Sequence, residues 1–181
     1  MPETWDWRTS STANRVSPIK QQGTCGSCWS FSTIATYESL FAINNAAGQF
    51  TETDFGPWPW ASEVTADGFL TFSEQQLVDC DVQPMYCYGG NNSIYYTVTA
   101  SQGCNGGLEC TAFAYLIGNN LTLDSVYPYT GVQETCKYDK AKGTGIAIST
   151  FWYIFQNTVA DTKQQVAISP ITSGISACTD F

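Results

Sequence analysis

The side chains best placed to do chemistry are the two thiols of Cys25-Gly26-Ser27-Cys28-Trp29. A C-x-x-C allows half of a zinc site, a dithiol redox pair, or one structural and one nucleophilic cysteine. Zinc needs a second ligand pair at suitable spacing. The other cysteines, at 80, 87, 104, 110, 136 and 178, supply none, and the chain has no histidine. A thioredoxin-like pair wants a strand ahead of the motif, whereas the irregular Gln21-Gln22-Gly23 precedes this one. A blander reading places both cysteines in structural disulfides. Position favours a nucleophile at Cys28: a thiol in the first turn of a helix feels the positive end of the helix dipole, which favours thiolate, and Gly26 lets a substrate backbone approach.

The elements that must position this thiol follow from periodicity. Ser27 is an N-cap type. From Cys28 to about Asn44, apolar residues recur at Phe31, Ile34, Ala35, Leu40 and Phe41, which predicts a long helix with Cys28 in its first turn. Ser73-Glu74-Gln75-Gln76-Leu77-Val78 predicts a second helix, capped by Ser73 with Gln76 completing a capping box. A third is expected over 108 to 117. Residues 49 to 70, with Gly56, Pro57, Pro59 and Gly68 among Phe55, Trp58 and Trp60, read as an ordered loop insertion that packs on the body. Residues 81 to 102 read as another, with a short strand within Ile94 to Thr99. After Tyr127-Pro128-Tyr129 the runs Ile146 to Ile154 and Gln165 to Ile171 turn β-rich, so a helical first half and a β second half are expected.

The 181 residues suffice for a core without staples. Seven Lys+Arg against 16 Asp+Glu give a formal charge of -9, which opposes phosphate binding and excludes nucleic acid and anionic membrane surfaces as expected partners. Aromatic content of 14% with 13% charged residues is the composition of a folded chain. Eight cysteines suggest an oxidising compartment with disulfides, or else a metal or redox site, and the sequons at Asn91 and Asn120 fit secretory passage and glycosylation. No run of about 20 apolar residues is present to span a bilayer. With no histidine, the commonest general base and metal ligand are both missing. Only thiolate or carboxylate chemistry remains unless another chain contributes.

Cys25-Gly26-Ser27-Cys28-Trp29 fits the C-G-[SA]-C-[WY] pattern of papain and the cathepsins. Asp6-Trp7-Arg8, Val16 to Gly23, Ser30-Phe31-Ser32, Ser73 to Cys80, Gly103 to Gly107 and Tyr127 to Gly131 follow in that family's order. The chain therefore resembles papain-family cysteine proteases, with Gly106-Gly107-Leu108 and Ala112-Phe113 nearer cathepsin L than cathepsin B. The resemblance implies an α+β, papain-like fold: a helical left domain over 1–130 carrying both insertions, then 131–181 as part of an antiparallel β-barrel right domain. It implies Cys28 as nucleophile and Gln22 as oxyanion-hole donor. Gly26, Gly106 and Gly107 would meet substrate backbone, with Leu108 and Ala167 as pocket walls. It also implies the bridges Cys25–Cys104 and Cys80–Cys136. Cys87 and Cys110, which have no counterpart in the common pattern, are expected to bridge each other and staple the second insertion, leaving Cys178 unpartnered.

The family also needs a histidine, oriented by an asparagine, roughly 130 to 150 residues after the nucleophile. The two insertions move its expected position on the order of 20 residues past Phe181. A second chain or missing segment is thus expected to supply both residues. Protein or peptide substrates, a propeptide or cystatin-type inhibitors are the partners implied, no cofactor or metal is expected, and a lysosome, digestive vacuole or secreted setting suits the pI near 4.1. The other classes left open are a catalytically inactive papain-like binding or scaffold protein and a dithiol oxidoreductase.

Overall fold

A computed structural model describes residues 3–9, 13–49, 61–84, 86–88, 95–97, 100–151, 154 and 158–175. Its helices are α1 (Cys28–Ala46), α2 (Glu74–Cys80), α3 (Glu109–Gly118) and α4 (Val159–Val166). Strands β1 (Tyr86–Tyr88) and β2 (Tyr95–Thr97) pair antiparallel with Cys87 opposite Tyr96, forming a two-stranded ribbon within the second insertion.

Helix α1 is the spine. Its buried positions include Trp29, Ser30, Thr33, Ile34, Tyr37, Glu38, Phe41 and Ala42, pairs spaced four apart that form one stripe of a 3.6-residue period. Ala35 is exposed, and Phe31 and Leu40 are half-buried. The buried face is therefore rotated from the expected one and takes in polar Ser30, Thr33 and Glu38. Trp29, Ile34, Tyr37 and Phe41 join Leu77 of α2, Ala112 and Leu116 of α3, and Leu70, Phe72, Leu121, Leu123 and Ile146 in one core. Burying a side chain the size of Phe72 stabilises the fold by about 2 to 3 kcal/mol. Phe72 makes T-shaped ring contacts with both Tyr37 and Phe41.

Helix α2 begins at Ser73, whose Oγ accepts from the Gln76 N–H at 3.0 Å while donating to the Tyr127 carbonyl at 2.6 Å. The expected capping box closes on one side only. The Ser73 N–H goes to the Thr122 carbonyl, and the Gln76 amide reaches Asn120 and Thr122 instead. At the far end of α2, Asp79 accepts from the Tyr127 hydroxyl and the Glu134 N–H, and the adjacent Cys80 is bonded to Cys136. Residues 127–137 are thereby tied along α2.

The second half departs from expectation. Among the described residues of 131–181 no strand forms. The Ile146 to Ile154 run is irregular where described, and Gln165 falls in α4, not in a strand. Thr158 caps α4, its Oγ1 accepting from the Asp161 N–H. That Thr-x-x-Asp start, with Lys163 and two glutamines following, is a helix signal that outweighs the β-branched residues around it. The chain then turns, with the Ile168 and Ser169 N–H groups closing on the Gln165 carbonyl.

Candidate active site

The thiol site is assembled from three pieces of backbone. The first is the loop at 21–27, in which the Gln22 Nε2 donates to the Cys25 carbonyl at 2.9 Å. One of the two amide protons is so used, and the other is free for a ligand. The second is the start of α1. Its first intrahelical bonds run from the Ser30 and Phe31 N–H groups to the Ser27 carbonyl. The Cys28 N–H precedes them and has no helix carbonyl to meet, as for the opening donors of any helix. Cys28 itself is exposed and is the free cysteine among the described residues.

The third piece is the glycine segment. Cys25 is bonded to Cys104, 79 residues away, and the Gly26 N–H donates to the Cys104 carbonyl at 2.9 Å. A Cβ on Gly26 would lie 2.6 Å from that carbonyl oxygen and 3.7 Å from the Gly106 nitrogen, so only glycine permits this approach. Gly107 packs as tightly on the core side: a Cβ there would fall 2.5 Å from the Trp29 ring and 2.8 Å from Ser101 Oγ. Trp29 in turn donates from Nε1 to the Gly103 carbonyl at 3.1 Å. Gly106 has φ of 113° and open space on its side-chain face. The segment beside Cys28 is thus held from behind and bare in front, the form an extended peptide needs for backbone pairing.

Of the expected pocket walls, Leu108 stands 43% exposed beside Gly107. Ala167 caps the C-terminus of α4, where the neighbouring Val166 carbonyl accepts from Trp7 Nε1 at 2.6 Å. Cys110 is disulfide-bonded. Its expected bond to Cys87 rests on a side chain that is not described, and Cys178 and Asn91 lie outside the described residues. Asn120 is half-buried, and the hydroxyl of its sequon partner Thr122 is buried against Gln76 Oε1.

Sequence reasoning missed two features. Tyr129 and Ser27 share a 2.7 Å hydroxyl contact, and the Tyr129 hydroxyl donates to the Gln22 carbonyl at 2.8 Å. The Ser27 hydroxyl makes no cap bond to α1 because it is engaged there. The second is a buried ion cluster in which Lys20 Nζ lies 2.6 Å from both Glu38 and Glu74. Burial pushes the Glu74 carboxyl up to about 7, against the pull of Lys20, and raises Glu38 for the same first reason. Burial alone lowers Lys20, but the two carboxylates outweigh it and raise the ammonium. The signal for Glu38 was its place on the Ile34–Phe41 side of α1, a charge within an apolar stripe.

The family model described as papain family cysteine protease matches residues 1–54 and 61–181. The chain belongs to the papain family of cysteine proteases. It is 33% identical over 178 residues to "Cysteine proteinase RD21A" of Arabidopsis thaliana, covering 98% of this chain and 30% of that protein. It is 30% identical to "Viral cathepsin" of Adoxophyes honmai nucleopolyhedrovirus, again over 98% of this chain and 41% of that protein. Among solved structures, the Carica candamarcensis cysteine protease CMS1MS2 in complex with E-64 superposes with a TM-score of 0.61 at 26% identity, covering 93% of this chain and 60% of that one. The Tenebrio molitor digestive procathepsin L2 gives 0.55 at 30% identity, over 82% and 35%. The chain therefore has the papain-like fold and spans well under half the length of these two curated relatives.

Proposed function

We propose that this chain is the nucleophile-bearing part of a papain-like cysteine endopeptidase. The observation that carries this reading is the free, exposed Cys28 at the head of α1, preceded by a loop in which the Gln22 amide bonds the Cys25 carbonyl and to which the glycine segment is clipped through Cys25–Cys104. The Cys28 sulfur attacks the scissile carbonyl carbon. The carbonyl oxygen becomes an oxyanion that accepts from the free Gln22 N–H and the Cys28 backbone N–H. Collapse expels the amine, which takes a proton, and leaves a thioester on Cys28 that water hydrolyses. Gly106 and Gly107 pair with the substrate backbone, with Leu108 and Ala167 as walls of its pocket.

The proton must be carried by a group other than those present. These 181 residues hold no histidine, so we assign the imidazole and its orienting asparagine to polypeptide outside them. On this reading 1–130 form the helical domain and 131–181 the opening part of the barrel domain. A propeptide or cystatin-type inhibitor would occupy the same cleft, and an acidic lysosomal, vacuolar or secreted setting suits the charge.

The Cys25–Cys104 bridge counts against a dithiol oxidoreductase, which requires Cys25 and Cys28 to bond each other. An inactive scaffold is disfavoured by retention of both Cys28 and Gln22. The test is peptide hydrolysis by the complete enzyme. Gln22→Ala is expected to lower kcat by about 100- to 1,000-fold, the usual cost of one oxyanion donor. Unaided hydrolysis by the 181-residue chain alone would show that the base lies within it and refute the assignment outside.

A further inference from the structure

We propose that Tyr129 is the positioning residue for the oxyanion donor, acting through a directed chain of hydroxyl protons from Ser27 to the Gln22 main chain. The inference rests on the reading of Gln22 as that donor. Three atoms define it: Ser27 Oγ and Tyr129 Oη 2.7 Å apart, and the Gln22 carbonyl oxygen 2.8 Å from Tyr129 Oη. A carbonyl only accepts, so the single Tyr129 proton points at Gln22. Tyr129 Oη must then accept from Ser27, whose hydroxyl is fully buried. Proton counting fixes the direction: Ser27 donates to Tyr129, which donates to Gln22.

The hydroxyl ties the two ends of the loop at 21–27 to each other. Ser27 is the residue before the nucleophile, and Gln22 is the donor on the opposite side of the loop. The Gln22 side chain already spans to the Cys25 carbonyl, and the Ser27 N–H donates to that same carbonyl at 2.8 Å. The loop is thereby closed on one side by these two bonds and on the other by Tyr129. Without the tyrosine hydroxyl, the Gln22 main chain keeps one anchor fewer and its amide gains freedom to swing from the oxyanion position.

Tyr129 is itself held on a separate shelf. Its ring meets the edge of Phe31 with centroids 4.9 Å apart, its N–H donates to Asp124, and the next residue, Thr130, donates from its N–H to Gln75 of α2. The geometry of the donor is thus referred to α2 and the core rather than to the exposed loop around it. This gives the tyrosine of Tyr127-Pro128-Tyr129 a role that packing alone does not require, since phenylalanine would preserve the contact with Phe31.

The test is Tyr129→Phe in the complete enzyme, alone and combined with Gln22→Ala, with a peptide substrate and with iodoacetamide. Alkylation attacks a saturated carbon and forms no oxyanion. Loss of one hydrogen bond corresponds to about a tenfold fall in kcat, with KM and the Cys28 alkylation rate changed less than about twofold. In the Gln22→Ala background the same substitution should change kcat by less than about twofold. Equal losses in both backgrounds, or a parallel loss in alkylation, would overturn the proposal. Should Tyr129→Phe fail to fold, Ser27→Ala removes the donor at the other end and must show the same dependence on Gln22. If Gln22→Ala alone leaves kcat intact, the oxyanion reading itself is wrong and this proposal falls with it.

Discussion

Cys28 is free and exposed where Cys25, Cys80, Cys104, Cys110 and Cys136 are disulfide-bonded, and its surroundings are built from backbone more than from charge. Its own N–H, the Gln22 amide and the open side-chain face of Gly106 are the groups this part of the fold leaves available. Two of the nearby glycines are required by space. At Gly107 an added methyl would enter the Trp29 ring, which is itself pinned to the Gly103 carbonyl. Gly107→Ala is therefore expected to destabilise the fold by about 1 to 3 kcal/mol through overpacking, read as a lower midpoint in urea at unchanged m-value. A neutral outcome would mean that the glycine segment stands off the core. The placement of Cys28 and Gly26 was legible in the sequence because the motif is local: five consecutive residues specify a thiol, a close approach and a helix start. The Tyr129 hydroxyl was not legible as a contact, since it reaches Gln22 across more than a hundred residues of chain.

The helices α1, α2 and α3 could be read from apolar periodicity, with ends within about two residues, and α2 from its Ser73 cap as well. Ser73 illustrates the agreement: a cap type in sequence, a cap in the structure, and a further link to the Tyr127 carbonyl. Ser73→Ala removes both bonds at a fully buried position and is expected to cost about 2 kcal/mol, measurable by thermal or urea unfolding. A loss below a few tenths would show that the cap is dispensable. Helix α4 was missed because β-branched and apolar residues after Gln165 masked the Thr158 cap, and because strand propensity expresses itself only where partner strands exist. Among the described residues of that half none is paired, so α4 keeps its local preference. The bridge between Cys80 and Cys136 encloses a loop with a sequence separation of 56, and removing it is expected to cost about 4 kcal/mol.

At the scale of the whole molecule, the lead-in segment, α1 and α2 meet at Lys20, Glu38 and Glu74. Two buried carboxylates share one ammonium there, so the cluster carries an excess negative charge that a proton relieves. Glu74 shifts from the ordinary 4.5 to about 7, and the folded state consequently holds a proton that the unfolded chain releases between those values. The contribution of Glu74 to stability is full below about pH 4.5 and is lost as pH rises through about 7, a change on the order of 3 kcal/mol. Thermal unfolding across this window should flatten in Glu74→Gln, and an undiminished slope in that variant would remove Glu74 as its source. The most direct measurement of the central claim is mapping of the thiol-reactive epoxide adduct by non-reducing mass spectrometry, followed in parallel with peptide hydrolysis by the complete enzyme. A single adduct on Cys28, formed in step with loss of hydrolysis, is the predicted result. Full hydrolysis with Cys28 completely modified, or modification confined to another cysteine, would contradict it.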